Sequence, residues 1–134
     1  MYYMKIEGLD HIGILTQDIE ASVAFYRDIL GFRLKSRQKN VRADGSPFSM
    51  AFLSRGGCEI ELVTAPAGFV PQDGTVAHVA IQCADVDEVF RELVEKGCKP
   101  EWDAPVTEPF FRQGFRHFFL RGPAGERLEF CRAL

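Results

Sequence analysis

Two histidines and two glutamates stand at matched places in a chain that nearly repeats itself. His11 opens the run His-Ile-Gly-Ile, and His78 opens His-Val-Ala-Ile 67 positions later. Glu61 lies in Glu59-Ile-Glu-Leu-Val63, and Glu129 lies 68 positions on in Arg127-Leu-Glu-Phe-Cys131. Two imidazoles and two carboxylates suit a divalent ion of the Zn, Ni, Co, Mn or Fe group. Four protein ligands leave one or two positions open for water or substrate. An ion so held is a Lewis acid, able to polarise a carbonyl and stabilise the enediolate left when the adjacent carbon loses its proton. A carboxylate beside the metal can carry that proton, which makes Glu129 and Glu61 the catalytic candidates. A lone His or Glu within a strand is ordinarily structural or exposed. Four at equivalent places in two repeats are not independent, and two Glu on apolar strands are costly to bury without a partner. Glu59 competes with Glu61 for the same strand face, but its repeat mate is Arg127, so symmetry favours Glu61.

The elements that would position these residues follow from periodicity. Leu9 to Thr16 alternates as a strand, with His11, Gly13 and Leu15 on one face and Ile12 and Ile14 on the other. Asp18 is placed to cap a helix whose Ile19, Val23, Tyr26 and Leu30 fall at helical spacing, and Gly31 ends it. Strands are expected over 32–39, 48–53 and 58–64, with turns at Asp44-Gly45 and Gly56-Gly57. The second half repeats the order. Val76 to Cys83 reads as a strand. Asp85 and Glu88 form a capping box for a helix bearing Val86, Val89, Phe90, Leu93 and Val94, and Gly97 stops it. Lys99 to Trp102 reads as a short strand, Ala104 to Gly114 as a loop, and 115–120 and 126–132 as strands joined by a Gly122-Pro-Ala-Gly125 hairpin. Each half is a strand, a helix, then three strands. The chain 1–134 reads as one α+β domain, with a first module over about 6–65, a linker over 66–74 and a second module over about 75–134.

The remaining candidates concern the substrate. Phe48, Met50, Phe110 and Phe111 could line an apolar pocket, and Arg116 could grip an anionic group, as could Arg37, Arg42 and Arg112. The Phe110-Phe111 pair sits in a segment marked as loop by Pro105 and Pro109. It suggests a lid over the cleft, with packing into the core as the competing explanation. His117 reads as an exposed polar residue.

With 16 Lys and Arg against 19 Asp and Glu, the chain carries no basic cluster for nucleic acid. No apolar run reaches membrane-spanning length. The N-terminus lacks the pattern of a signal peptide, which points to the cytoplasm. The four cysteines have no metal-site spacing and read as small buried hydrophobes.

The motifs resemble the vicinal-oxygen-chelate superfamily, which contains glyoxalase I, methylmalonyl-CoA epimerase, extradiol dioxygenases and the fosfomycin- and bleomycin-resistance proteins. The resemblance rests on His11-Ile-Gly-Ile, Ala24-Phe-Tyr-Arg-Asp-Ile-Leu-Gly-Phe32, Glu59-Ile-Glu-Leu-Val63, His78-Val-Ala-Ile with Asp85-Val-Asp87, and Arg116 through Glu129. It implies two tandem βαβββ modules forming a curved mixed sheet around a metal cleft, with ligands at His11, Glu61, His78 and Glu129. Glu at position 61 and the short turn before Glu129 are nearer the glyoxalase I branch than the epimerases. Leu15 and Ala65 stand where bacterial glyoxalase I holds glutathione with Arg and Asn. The resemblance implies a metal-dependent lyase or isomerase acting on a small α-oxygenated carbonyl compound or thioester, in a homodimer. Acyl-CoA epimerase, non-heme iron dioxygenase and small-molecule binding or resistance protein are the alternatives.

Overall fold

The computed structural model describes residues 4–134. Eight strands and two helices form two βαβββ modules. In the first, β1 (Ile12–Thr16) leads into α1 (Ile19–Ala24), then β2 (Arg33–Val41), β3 (Pro47–Arg55) and β4 (Cys58–Thr64). In the second, β5 (Val79–Gln82) leads into α2 (Val86–Glu95), then β6 (Val106–Glu108), β7 (Phe115–Arg121) and β8 (Arg127–Ala133). Each module makes a four-stranded mixed sheet, ordered β1-β4-β3-β2 and β5-β8-β7-β6, with its first and last strands parallel. A parallel pair needs a long crossover, which the helix and two strands supply.

Strand alternation divides each sheet into a core face and an open face. Ile14, Ala51, Leu53, Ile60 and Leu62 in one module, and Phe118, Leu120, Leu128 and Phe130 in the other, are buried in one continuous core with Val23, Tyr26, Val86 and Leu93 from the helices. A fully buried side chain of this size contributes about 1.5–3 kcal/mol relative to exposure. Burying the intervening residues turns His11, Glu61 and Glu129 to the opposite face. Both helices start on the expected caps: Asp18 Oδ1 accepts from the Ala21 N–H and Asp85 Oδ1 from the Glu88 N–H, each at 3.0 Å. The helical run begun by α1 ends before Gly31, and α2 ends before Gly97, at φ of +75° and +88°, a conformation glycine adopts without strain.

Several boundaries differ from expectation. The strands that open each module begin at Ile12 and Val79, so His11 and His78 stand immediately before them. The parallel ladders start there, with Ile12 facing Ile60 and Val79 facing Leu128. After α1 the chain continues as a π-helical turn over Phe25–Ile29, closed by Leu30 N–H donating to the Phe25 carbonyl at 3.1 Å. This wider turn buries Phe25 and Tyr26, which are consecutive. Lys99 to Trp102 is not a strand. The missing strand is β6, inside the segment expected to be a loop, and it pairs with β7 from Val106↔His117 to Glu108↔Phe115. Pro105 and Pro109 flank it and cannot donate to a ladder, which holds it to three residues.

All four cysteines are free. Burial pushes the Cys83 thiol up to about 11. Among the described residues no helix is long and apolar enough to cross a membrane.

Candidate functional site

The structure brings the four candidate ligands together as two pairs. In the first module His11 Nε2 lies 2.8 Å from Glu61 Oε2. In the second, His78 Nε2 lies 3.6 Å from Glu129 Oε1. The repeat extends to a third residue. Phe52 faces Glu61 across β3 and β4, and Phe119 faces Glu129 across β7 and β8. Each ring meets its histidine edge-on, at 5.8 Å for His11–Phe52 and 5.5 Å for His78–Phe119. The 67-residue offset relates these two phenylalanines as well, a signal present in the sequence but not drawn from it.

Each pair offers a divalent ion one imidazole nitrogen and one carboxylate oxygen, a donor set that fits the expected group of metals. Among the described residues no group of three or more His, Cys, Asp or Glu converges to hold an ion within one chain. The four residues expected to form one centre therefore stand as two separate His–Glu pairs, one in each module. In the first half-site His11 Nδ1–H donates to Asp10 Oδ2 at 2.6 Å, leaving Nε2 toward Glu61. This hydrogen bond, with the charges of Glu61, Asp10 and Glu59, holds the His11 imidazole above its ordinary pKa. An ion binding at Nε2 would have to displace the second proton, on Nε2, that the raised pKa favours. Glu59 is occupied by Lys35, whose Nζ donates at 2.6 Å, so it does not compete with Glu61 for His11.

The second half-site is more enclosed. Glu129 is 7% exposed. Its Oε2 lies 2.7 Å from His117 Nδ1, and His117 Nε2 lies 3.4 Å from Glu108 Oε1. His117 is thus buried at the site and not an exposed polar residue. Alternation with Phe115 and Phe119 along β7 places it on the face of Glu129. Its repeat mate is Met50, so the twofold pattern that revealed the other ligands could not point to it. Arg127 stacks on Phe119, its guanidinium carbon 3.6 Å from the ring centroid, and is held by Glu101. A cleft of about 320 Å³ opens beside His78 between β1 and the linker, with Leu15, Pro71 and Arg127 in its walls.

The candidate substrate residues are divided. Phe48 and Met50 alternate with Phe52 on β3, on the face of Glu61, and both are half-buried. Phe110 and Phe111 are 52% and 75% exposed and lean on Phe115 at 6.3 and 6.0 Å, so they are not part of the core. Arg116 is turned away from the site. As the neighbour of His117 on β7 it points to the other face, where it donates to both Asp87 carboxylate oxygens and to Thr107 Oγ1. Arg37 is likewise tied to Glu20, and Arg42 to the carbonyls of Pro47 and Thr64.

Comparison with known proteins bears on this arrangement. The uncharacterized protein YwbC of Bacillus subtilis is 31% identical over 91% of this chain and 94% of its own length. An iron-dependent extradiol dioxygenase of Rhodococcus jostii is 33% identical over 92% of this chain, which spans 42% of that enzyme. The trypanothione-dependent glyoxalase I of Leishmania major has a similar fold, with a TM-score of 0.68 and 21% identity over 90% of this chain and 82% of that one. A family model matches residues 8–130, which include both histidines and both glutamates of the half-sites. On that match the chain belongs to the glyoxalase/bleomycin resistance protein/dioxygenase superfamily.

Proposed function

We propose that the protein is a metal-dependent lyase or isomerase of the glyoxalase I type, moving a proton on the carbon next to a carbonyl of a small α-oxygenated compound or thioester. The observation that carries this reading is the repeated geometry of an imidazole Nε2 against a carboxylate oxygen, once in each module. A divalent ion bound there supplies Lewis-acid polarisation of the substrate carbonyl. Glu129 is the proton carrier, because its carboxylate is the more enclosed of the two and lies beside His78. Glu61 is its counterpart across the repeat. Glu129 is buried beside Phe119, and its partial exclusion from water would strengthen charge interactions there. Phe48 and Met50 offer an apolar seat for the substrate, and the exposed Phe110-Phe111 tip would close over it.

The half-sites come together across a homodimer. The strands next to His11 and His78, β1 and β5, are edge strands of their sheets, each with one open side. The segment leading into β1 exposes Met4, Ile6 and Leu9, and Val76 is exposed just before β5. A second copy of the chain would cover these groups and bring a His11–Glu61 pair to a His78–Glu129 pair.

The test is metal analysis of purified protein, followed by hemithioacetal isomerisation and acyl-CoA epimerisation assays. Bound divalent metal and turnover of one substrate class are expected. A chain that binds no divalent metal after reconstitution overturns the reading. The 33% identity to the Rhodococcus enzyme favours a second reading, iron-dependent ring cleavage. Glu61 argues against it, since dioxygen chemistry on two His and one carboxylate needs the position that a fourth ligand fills. Oxygen uptake with catechols that requires ferrous iron would favour it.

A further inference from the structure

The two half-sites are held in place by opposite devices. In the first, Asp10 grips the histidine; its repeat mate is Ala77, which has nothing to offer His78. In the second, His117 grips the glutamate; its repeat mate is Met50, which gives Glu61 no donor. Each module therefore orients one member of its pair, and not the same member.

We propose that His117 is a positioning residue for Glu129, holding Oε2 through Nδ1–H so that Oε1 stays presented toward His78 and a bound ion. The proposal rests on the reading of Glu129 as a metal ligand. Its geometry is specific. Of the two carboxylate oxygens, Oε2 lies 2.7 Å from His117 Nδ1 and Oε1 lies 3.6 Å from His78 Nε2. The carboxylate is thus divided between two imidazoles and cannot turn without breaking the shorter contact. The His117 ring is fixed in turn. Trp102 and Phe119 meet it edge-on at 5.1 and 5.5 Å, Phe115 lies 5.2 Å away, and Glu108 on β6 faces Nε2. Outer partners that orient a ligating group typically affect metal affinity 10–100-fold when removed.

Amide substitutions separate positioning from mere space-filling. The side-chain amide of Asn can occupy the place of Nδ1, whereas that of Gln reaches the place of Nε2, toward Glu108 and away from Glu129. The full chain, stripped of metal, is titrated with Co(II), read by its visible absorption and by competition with a chelator, and each variant's melting temperature is recorded. His117→Phe and His117→Gln should each weaken Co(II) binding by about 10–100-fold and alter the visible spectrum. His117→Asn should bind Co(II) close to wild type and well above His117→Gln. If His117→Phe does not fold, the contrast between Gln and Asn decides. Folded Phe or Gln variants that bind Co(II) like wild type overturn the proposal, as does an Asn variant as weak as Gln. Glu129→Ala distinguishes the two levels. If it abolishes Co(II) binding while His117→Gln does not, only the positioning role fails. If it leaves Co(II) binding intact, the reading of Glu129 as a ligand fails and the proposal with it.

Discussion

Glu129 and Glu61 occupy equivalent positions in very different surroundings. Glu129 is buried beside His117 and Phe119, while Glu61 faces a half-exposed His11. Exchanging a carboxylate for an amide keeps shape and removes both charge and proton-carrying capacity. Glu129→Gln is expected to lower kcat by about 10²-fold or more with the melting temperature preserved, since general acid–base catalysis contributes typically 10²–10⁴-fold. Glu61→Gln should cost less, because an amide oxygen can still ligate. A steady-state assay of both variants on the substrate found for the wild type checks the order, and wild-type turnover by Glu129→Gln would remove Glu129 from the chemistry. The candidate His–Glu pairs were readable from residue types because the repeat gave each residue a counterpart. His117, Trp102 and Glu108 were not, because their mates are Met50, Lys35 and Val41 and only packing brings them to Glu129.

Elements with a strong period and a defined cap were legible at their correct places. Strand β4 spans Cys58–Thr64 as expected, and α2 starts on Asp85, because alternation and capping act locally. Strand β6 was not legible, because three residues between prolines carry no period and the strand exists only through pairing with β7. The π-helical turn escaped for a related reason: a 3.6-residue period cannot register one inserted residue. Finding β6 inside the expected lid changes the lid's mechanics. Its base, Val106–Glu108, is anchored to β7, and the tip carrying Phe110 and Phe111 lies outside that ladder and exposed, with Phe111 at φ +58°. Replacing both rings with Ser should reduce kcat/KM by roughly tenfold, equivalent to about 1.4 kcal/mol of lost binding. The melting temperature should stay nearly constant, because both rings are already exposed. A large fall in melting temperature would assign the pair a structural role instead.

The two modules share one core and one buried tie. Tyr26, fully buried in the first module, donates to Glu126 Oε2 in the second at 3.0 Å, and the Ala124 N–H donates to Glu126 Oε1 at 3.0 Å. Burial raises the Glu126 carboxyl above its ordinary 4.5. The folded state therefore holds the proton more tightly than the unfolded chain. That contribution to stability is complete below about 4.5 and is lost as pH rises through the raised value. Glu126→Gln, neutral at every pH, should remove this decline. The difference in melting temperature between variant and wild type, followed upward from pH 4, isolates the effect from exposed carboxylates such as Asp73 and Asp87, whose arginine partners lower their pKa and so act in the opposite direction. The division of the two His–Glu pairs between two sheets has a consequence that reads like genetics. In the proposed symmetric dimer each centre would draw one half from each chain, so two dead alleles would complement. His11→Ala and His78→Ala proteins, each inactive alone, would form mixed dimers with one doubly damaged centre and one fully wild-type centre. Equal mixing followed by subunit exchange should restore about a quarter of wild-type activity. A mixture that stays silent although the chains demonstrably exchange would place both halves of each centre in the same chain.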